Sequence, residues 1–350
     1  MQDDQLNQLS ETLTTASAAV ADSTTLADEQ KNDTDVVPGS IKAEPPTYQR
    51  HLDFWRREDL DADELLRPVS TACFDELVEF GNGDRDSAPE ARRFIREVMS
   101  TLQEDGPGMA ILSELPSEGI GMLAHQRICT VLSSEVAALK AQDRAGTLLY
   151  DVRNKHVANP QAVRKSITNL AQPYHTDGGW FDPTAEYIGL YCIQNAREGG
   201  SSEATSLLAA FAQMQASEPA AIAALKGALP WDKQGEYVEG ESPFCHLPVF
   251  EHVEGRFLGR YYESYITSGY TLTGTPMPAA VKHALEVLKK TLAQQPRLGF
   301  RLKAGQMQLV NNRTLVHARA AFRGSPSNPA TAAKAPITSG RHLIRVWMGG

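Results

Sequence analysis

The sequence has 350 residues, of which 41% are hydrophobic, and is therefore long enough to bury a substantial core. It has no run of 18 or more apolar residues and lacks the layout of a secretory signal, so we predict no membrane span and no secretion. The net charge of −9 comes mostly from residues 1–45, which hold nine acidic and two basic residues, and the nearly neutral remainder does not indicate a nucleic-acid-binding surface.

The chain divides by composition into two parts. Residues 1–46 are rich in Ser, Thr, Ala, Asp and Gln and contain no aromatic residue. Such a segment cannot bury enough apolar surface to offset the entropy of ordering it, so we predict a disordered acidic N-terminal extension. We expect the globular domain to span residues 47–350.

Four cysteines are spread widely along the globular part and form no Cys-x-x-Cys pair. This spacing argues against a disulfide framework and against a structural zinc site. It is typical of a protein from a reducing compartment, and we predict a cytoplasmic location. The four residues are Cys73, Cys129, Cys192 and Cys245.

The predicted elements alternate in type along the chain. Apolar periodicity and turn residues predict helices at 86–104, 122–140 and 279–293, with the first capped by Asp86 or Ser87. They also predict two consecutive helices within 203–228, the second of which starts at Ser217-Glu218-Pro219 and ends at Gly227. β-rich runs predict strands at 109–112, 187–193, 248–250, 256–262, 309–311 and 341–348. Short strands separated by long connections indicate an α+β protein whose core is a double-stranded β-helix, or jelly roll, with flanking and inserted helices. No glycine-rich phosphate loop follows a strand, so a nucleotide cofactor is not expected.

A His-x-Asp pair lies in the middle of the chain, at His175 and Asp177. On an extended segment these side chains leave the same face, so both can converge on one ion. A third ligand is available far downstream at His317. Two histidines and one carboxylate form the facial arrangement that suits non-haem Fe(II) used with dioxygen.

The last predicted strand places Arg341 and Arg345 on one face, together with Leu343 and Trp347. If that face is buried, the guanidinium groups require an anionic partner. A carboxylate would suit them, since a guanidinium donates two parallel hydrogen bonds to it.

Five segments, taken in their order along the chain, resemble the taurine dioxygenase/clavaminate synthase-like family of Fe(II)- and 2-oxoglutarate-dependent oxygenases. They are residues 109–116, 173–178, 198–202, 312–319 and 341–345. The resemblance covers about residues 105–350. It implies hydroxylation of an unactivated C–H bond with O2 and 2-oxoglutarate, which yields succinate and CO2. Desaturation stays open as an alternative outcome.

The resemblance also implies roles for individual residues. His175, Asp177 and His317 would bind the iron, and Arg345 would bind the distal carboxylate of 2-oxoglutarate, with Arg341 as the second choice. Ser202 takes the place of a threonine whose hydroxyl contacts that carboxylate. The segment 323–340 is longer than is usual in the family and rich in Pro, Ala and Ser, so we predict a mobile loop that covers the site.

The sequence determines the substrate less well than it determines the metal ligands. Tyr174 and Trp180 would form an apolar wall near the metal motif, and a later segment offers polar candidates at Arg260, Tyr262 and Glu263. The resemblance implies a small polar metabolite, such as an amino acid, a sulfonate or a betaine-like compound, with no nucleic-acid or membrane partner. A cupin-type metal enzyme that does not use 2-oxoglutarate, a non-catalytic binding module and an oligomeric assembly all stay open.

Overall fold

The computed structural model describes residues 48–103, 105–158, 163–323 and 340–350. The predicted acidic extension at 1–46 lies outside these residues. So does the predicted loop at 323–340, apart from its two end residues. Within the described part of the chain, no helix is both long and apolar enough to cross a membrane.

The described residues contain helices and strands in mixed order. The α-helices are α1 (Gln49–Trp55), α2 (Thr71–Asn82), α3 (Pro89–Leu102), α4 (Met122–Val136), α5 (Leu207–Ser217), α6 (Pro219–Leu225), α7 (Glu263–Thr273) and α8 (Ala279–Gln294). Single 3-10 turns form at Ala62–Leu65 and Lys165–Ile167.

The strands are short, and most are antiparallel to their neighbours. They are β1 (Leu66–Pro68), β2 (Met109–Ser113), β3 (Leu139–Lys140), β4 (Leu149–Arg153), β5 (Gln172–His175), β6 (Tyr187–Gln194), β7 (Glu198–Gly199), β8 (Ser202–Ser206), β9 (Leu229–Asp232), β10 (Phe244–Leu247), β11 (Phe250–Val253), β12 (Arg256–Gly259), β13 (Leu298–Phe300), β14 (Gln306–Asn311), β15 (Leu315–Arg319), β16 (Phe322–Arg323) and β17 (His342–Met348).

Two larger sheets organise these strands. A seven-stranded sheet has the order β1-β2-β14-β6-β17-β3, with β4 also paired to β17, and a four-stranded sheet has the order β13-β8-β15-β5. One core cluster combines Met109 and Val310 of the larger sheet with Ala204 and Leu315 of the smaller. The two sheets therefore pack against each other through a shared apolar layer.

Helices cover the outer faces of this arrangement. Helices α2, α3 and α4 place Leu77, Ile95 and Leu132 in a second cluster with Leu112 and Met307 of the seven-stranded sheet. Helices α5 to α8 form a third cluster with residues of β9 to β12.

The predicted helices exist, but several of their ends differ from the prediction. Helix α3 begins at Pro89 with Ala88 as its N-cap, so the predicted capping role of Asp86 or Ser87 is wrong. Helix α4 ends at Val136 because Ala137 adopts an extended conformation. The two helices predicted within 203–228 are α5 and α6, and the second begins at Pro219 as expected. The first begins only at Leu207, because Ser202–Ser206 is strand β8.

Strand predictions were more accurate in the centre of the sheets than at the edges. The predicted strand at 187–193 is β6, and the predicted final strand is β17. The predicted strand at 256–262 ends at Gly259, because Tyr262 is the N-cap of helix α7.

Candidate active site

The two histidines of the predicted metal set lie opposite each other on adjacent strands. His175 is the last residue of β5, and His317 lies opposite it in the adjacent strand β15. Asp177 follows two residues after His175, and ligand atoms of the three residues lie within 4.8 Å of one another. The three side chains, all shielded from solvent, could hold a metal ion.

The ring nitrogens of His175 have distinct roles. Nδ1 lies 2.9 Å from the carbonyl oxygen of Pro173, which can only accept, so Nδ1 carries the proton. Nε2 therefore carries the lone pair, which accepts from the side-chain amide of Gln172 at 2.7 Å, and it lies 3.3 Å from Asp177 Oδ1. A cation bound beside Asp177 would take this lone pair in place of the Gln172 amide.

His317 has the chemistry of a neutral ligand. Burial, together with the nearby His175, lowers the pKa of His317 to about 3. Its Nε2 lies 3.7 Å from Asp177 Oδ1. A neutral imidazole is the form that binds a metal, so the site is prepared for a cation at neutral pH.

Asp177 is anchored through both its backbone and its carboxylate. Asn312 accepts from the Asp177 amide at 2.9 Å and donates to its carbonyl at 3.0 Å. Arg345 Nη1 lies 3.2 Å from the carboxylate, and Trp347 Nε1 donates to it at 3.0 Å. Burial would raise the pKa of Asp177, but Arg345 and the two histidines outweigh it and hold the pKa below its ordinary value. The carboxylate therefore stays ionised.

One of two cavities beside Asp177 is rich in arginine. This arginine cavity has about 470 Å³ of space free of protein atoms, counting space that is open to solvent, and its walls include Ser202, Arg319, Arg341 and Arg345. Of the described residues that line it, Asp177 is the only carboxylate. The cavity is therefore positively charged and suited to a small anion.

Arg341 is the least satisfied of these arginines. Its side chain is buried, and its Nε and Nη1 atoms have no hydrogen-bond partner among the described residues. Burial lowers the pKa of Arg341 to about 10. By contrast, Arg319 donates to three carbonyl oxygens at Lys165, Thr168 and Leu170. A buried guanidinium with unpaired donors requires an anionic partner.

The second cavity has aromatic walls. This aromatic cavity has about 360 Å³ of space free of protein atoms, again counting space that is open to solvent. It is lined by Trp180, Tyr262, Tyr265 and Trp347, and also by Arg164, Lys165 and Arg345. It shares His175, Asp177 and Arg345 with the arginine cavity. Two candidate metal ligands, His175 and Asp177, therefore line both cavities, and the third, His317, lines the arginine cavity.

Two residues of the aromatic cavity, Trp180 and Tyr262, carry a polar group on an aromatic ring. Trp180 Nε1 is buried and has no hydrogen-bond partner among the described residues, so it can donate a hydrogen bond to a ligand. Tyr262 packs against His175 with ring centroids 5.0 Å apart, and its hydroxyl already contacts the side chains of Gln172 and Tyr265. Burial raises the pKa of Tyr262 to about 12, so the hydroxyl stays protonated at neutral pH.

The remaining predicted substrate residues line neither cavity. Tyr174 donates its hydroxyl to Glu203 at 3.0 Å. Arg260 is buried in an ion pair with Glu251, and Glu263 pairs with Lys289 on the exposed side of helix α7. Of the five predicted substrate residues, Trp180 and Tyr262 are the two that the aromatic cavity brings together.

Several residues at the site were not found from the sequence. Gln142 accepts from Arg345 Nε at 2.7 Å and donates to the Arg345 carbonyl at 2.9 Å. Gln142 and Arg164 lie in loops that carry no pattern. Tyr265 had a usable signal, since it follows Tyr262 by three residues at the start of a helix.

Comparisons with known proteins agree with this geometry. Residues 84–347 match the family model described as taurine catabolism dioxygenase TauD, TfdA family. FR-33289 synthase from Streptomyces rubellomurinus is 26% identical over 300 residues, which cover 84% of this chain and 82% of that protein.

Solved structures with the same fold include two oxygenases. Asparagine oxygenase, in complex with Fe(II), hydroxyasparagine and succinate, has a TM-score of 0.62 at 14% identity and covers 81% of this chain and 93% of its own. The non-haem iron oxygenase OrfP, in complex with Fe and alpha-ketoglutaric acid, has a TM-score of 0.60 at 13% identity, with coverage of 81% and 93%.

Proposed function

Because the chain belongs to the taurine catabolism dioxygenase (TauD, TfdA) family, we propose that it hydroxylates a small anionic metabolite at the junction of the arginine and aromatic cavities. It is a 2-oxoglutarate-dependent oxygenase, and its cofactors are Fe(II), 2-oxoglutarate and O2. The observation that carries the proposal is the position of Asp177, which lines both cavities beside the two histidines.

His175, Asp177 and His317 are the proposed ligands of Fe(II). The donor set fits the metal: two imidazoles and one ionised carboxylate, whose ligand atoms lie within 4.8 Å of one another. The proton on His175 Nδ1 leaves the lone pair on Nε2, where the metal would replace the Gln172 amide as its partner. When bound, Fe(II) with 2-oxoglutarate supplies the oxidising chemistry that turns O2 into a substrate hydroxyl group, with succinate and CO2 as coproducts.

Arg341 is the proposed partner of the distal carboxylate of 2-oxoglutarate. The sequence favoured Arg345 for this role, but Arg345 already contacts Asp177 and Gln142. Arg341 is buried in the arginine cavity with two unpaired donor atoms. Ser202, in the same wall, is the proposed hydroxyl contact. Arg345 would instead hold Asp177 and face the substrate at the junction.

The aromatic cavity is the proposed substrate site. Of the described residues that line it, three are cationic and one, Asp177, is a carboxylate. Even with Arg164 paired to Glu236, a positive charge remains, which favours a ligand with an anionic group such as a sulfonate, phosphonate, phosphate or carboxylate. Trp180 Nε1 would donate to an acceptor of the substrate. The family is described by the catabolism of taurine, which is a sulfonate, and this agrees with an anionic substrate. Amino acids remain within this class through their carboxylate.

The chain contributes positioning and shielding. The rings of Tyr262 and Tyr265 stack with centroids 4.0 Å apart, and Trp180 packs against Tyr265 at 5.3 Å. These rings exclude water from one side of Asp177, which strengthens the electrostatic contacts there. Gln142 holds the Arg345 guanidinium in place at the point where the two cavities meet.

We also propose that the seven-stranded and four-stranded sheets form a double-stranded β-helix within one domain spanning residues 47–350. Their shared core cluster supports this, as does the likeness to the oxygenase structures. The four cysteines are free thiols, which supports a cytoplasmic location.

A succinate-release screen tests the function. Purified protein with Fe(II), ascorbate, O2 and 2-oxoglutarate would be offered matched compounds that differ in one group, such as a sulfonate, a phosphonate, a carboxylate and an amide. We expect at least one anionic compound to raise succinate formation, with hydroxylated product detected by mass spectrometry. The uncharged amides should be inactive. Turnover of the amide alone would contradict the anionic class, and the Asp177→Ala variant serves as the control for iron-dependent turnover.

A further inference from the structure

Trp347 places a hydrogen-bond donor directly on the candidate metal ligand Asp177. The indole is buried in strand β17, and its Nε1 donates to Asp177 Oδ2 at 3.0 Å. Arg345, two residues earlier on the same face of the strand, places Nη1 3.2 Å from the same oxygen. One carboxylate oxygen therefore receives two donors from one strand.

The other carboxylate oxygen faces the histidines. Asp177 Oδ1 lies 3.3 Å from His175 Nε2 and 3.7 Å from His317 Nε2. The two oxygens of Asp177 thus have separate surroundings: Oδ1 faces the nitrogen ligands, and Oδ2 faces the two donors. An oxygen that is already hydrogen-bonded twice is a poorer metal ligand than its neighbour.

The indole is held in place by its packing. Phe181 contacts it edge to face with ring centroids 5.4 Å apart, and the Arg345 guanidinium lies over its ring at 5.2 Å. A Cβ atom on Gly178 would come within 2.7 Å of the Trp347 ring. Glycine at this position, immediately after Asp177, is therefore what lets the indole reach the carboxylate.

We propose that Trp347 is a positioning residue that holds Oδ2 of Asp177 and presents Oδ1 alone to the metal. Single-oxygen binding by Asp177 leaves the positions that 2-oxoglutarate and O2 need. This role rests on the proposed function, because it requires Asp177 to be an iron ligand. The indole of Trp347 would then hold the Asp177 carboxylate in addition to lining the aromatic cavity.

The Trp347→Phe variant tests this role, since it removes the donor and keeps an aromatic ring. We expect its Kd for Fe(II), measured anaerobically by competition with a chelator, to rise about 10-fold to 100-fold, as is typical when an outer hydrogen-bond partner of a metal ligand is lost. The charge-transfer band of its Fe(II)–2-oxoglutarate complex should also shift. An unchanged Kd with an unchanged band would overturn the proposal.

Trp55→Phe is the matched control. Trp55 is equally buried and donates Nε1 to the Pro107 carbonyl at 2.8 Å, away from the cavities. Both variants should lose stability, but only Trp347→Phe should lose iron affinity. An equal loss of affinity in both would mean that Trp347 acts only through the fold.

A second measurement covers the case in which Trp347→Phe does not fold. The chain has four tryptophans, so 15N-labelled metal-free wild type gives four indole N–H signals. One of them should lose protection from hydrogen exchange in Asp177→Ala and shift when Zn(II) is added to wild type. No change in any indole signal would contradict the Trp347–Asp177 contact. If instead wild type binds no Fe(II), the proposed function fails, while the metal-free comparison still tests the contact.

Discussion

The two cavities on either side of Asp177 satisfy their charges in opposite ways. In the arginine cavity, Arg341 is buried with unpaired donors. Asp177 is the only carboxylate among the described residues that line this cavity. In the aromatic cavity, Arg164 already pairs with Glu236, and Arg345 pairs with Asp177. The arginine cavity therefore holds a buried cation without a carboxylate partner of its own, whereas in the aromatic cavity two of the three cations are already paired and a smaller positive charge remains.

This difference separates a cavity that takes one particular ligand on each turnover, the arginine cavity, from a cavity whose ligand can vary, the aromatic cavity. A buried cation without a partner is costly unless a particular anion binds it on each turnover, as a cosubstrate does. Aromatic walls with a few donors bind by shape, and their selectivity changes with small substitutions. The difference predicts that variants of the two cavities will affect different ligands.

The largest effect is expected from Asp177→Ala, because this residue belongs to both cavities. The variant should weaken Fe(II) binding by more than about 100-fold, which exceeds the usual loss from an outer partner, and should abolish turnover. Iron binding would be measured by chelator competition and turnover by succinate release. Turnover at the wild-type rate would contradict the metal assignment.

Arg341→Ala should separate the cavities most clearly. Loss of a buried charge partner costs about 2 kcal/mol or more, so the KM for 2-oxoglutarate should rise about 30-fold or more. The KM for the organic substrate should change little. Arg345→Ala is the matched control, and it should raise the 2-oxoglutarate KM less than Arg341→Ala does. The reverse order would return the cosubstrate role to Arg345.

Trp180→Phe is the corresponding change in the aromatic cavity. It removes one hydrogen-bond donor and keeps the ring packing against Tyr265. The KM for the substrate should rise about 3-fold to 10-fold, the value of one hydrogen bond, while the KM for 2-oxoglutarate stays the same. A rise in the 2-oxoglutarate KM alone would show that the cavities have been assigned the wrong way round.

Ser202→Ala should give the smallest effect. Ser202 is buried in the arginine cavity and would add one neutral hydrogen bond to a carboxylate that Arg341 already binds. The KM for 2-oxoglutarate should therefore rise by about 3-fold, and the double variant with Arg341→Ala should show less than the sum of the two losses. Steady-state succinate assays measure both, and a loss as large as that of Arg341→Ala would give Ser202 the main role.

The candidate metal ligands could be predicted because each lies in a local pattern. His175 and Asp177 are two residues apart at the end of a strand, and His317 stands on a strand that pairs with it in register. The alternation of β17 also placed Arg341, Arg345 and Trp347 on one face, and the structure has all three lining the cavities.

Other residues depended on tertiary contacts that no local pattern records. Arg260 looked like a substrate residue, but strand pairing brings Glu251 to it. Gln142 reaches Arg345 across 203 residues of sequence. The choice between Arg341 and Arg345 likewise depends on which donors are already paired, and this can be decided only when their neighbours are known.

The predicted ends of the helices were wrong for a related reason. Apolar periodicity continues past Val136, yet Ala137 is extended so that Leu139–Lys140 can pair with the end of β17. Residues 202–206 have few β-branched side chains, yet they form a strand because neighbours on both sides supply hydrogen bonds. In both places the tertiary structure overrides local propensity.

An anaerobic titration of the Fe(II)-loaded protein with 2-oxoglutarate tests the central claim most directly. If His175, Asp177 and His317 hold iron beside the arginine cavity, the weak visible charge-transfer band of the chelated cosubstrate should appear in wild type and be lost in His175→Ala. If wild type binds iron but shows no band at saturating 2-oxoglutarate, the claim is contradicted and a metal enzyme that does not use this cosubstrate is favoured.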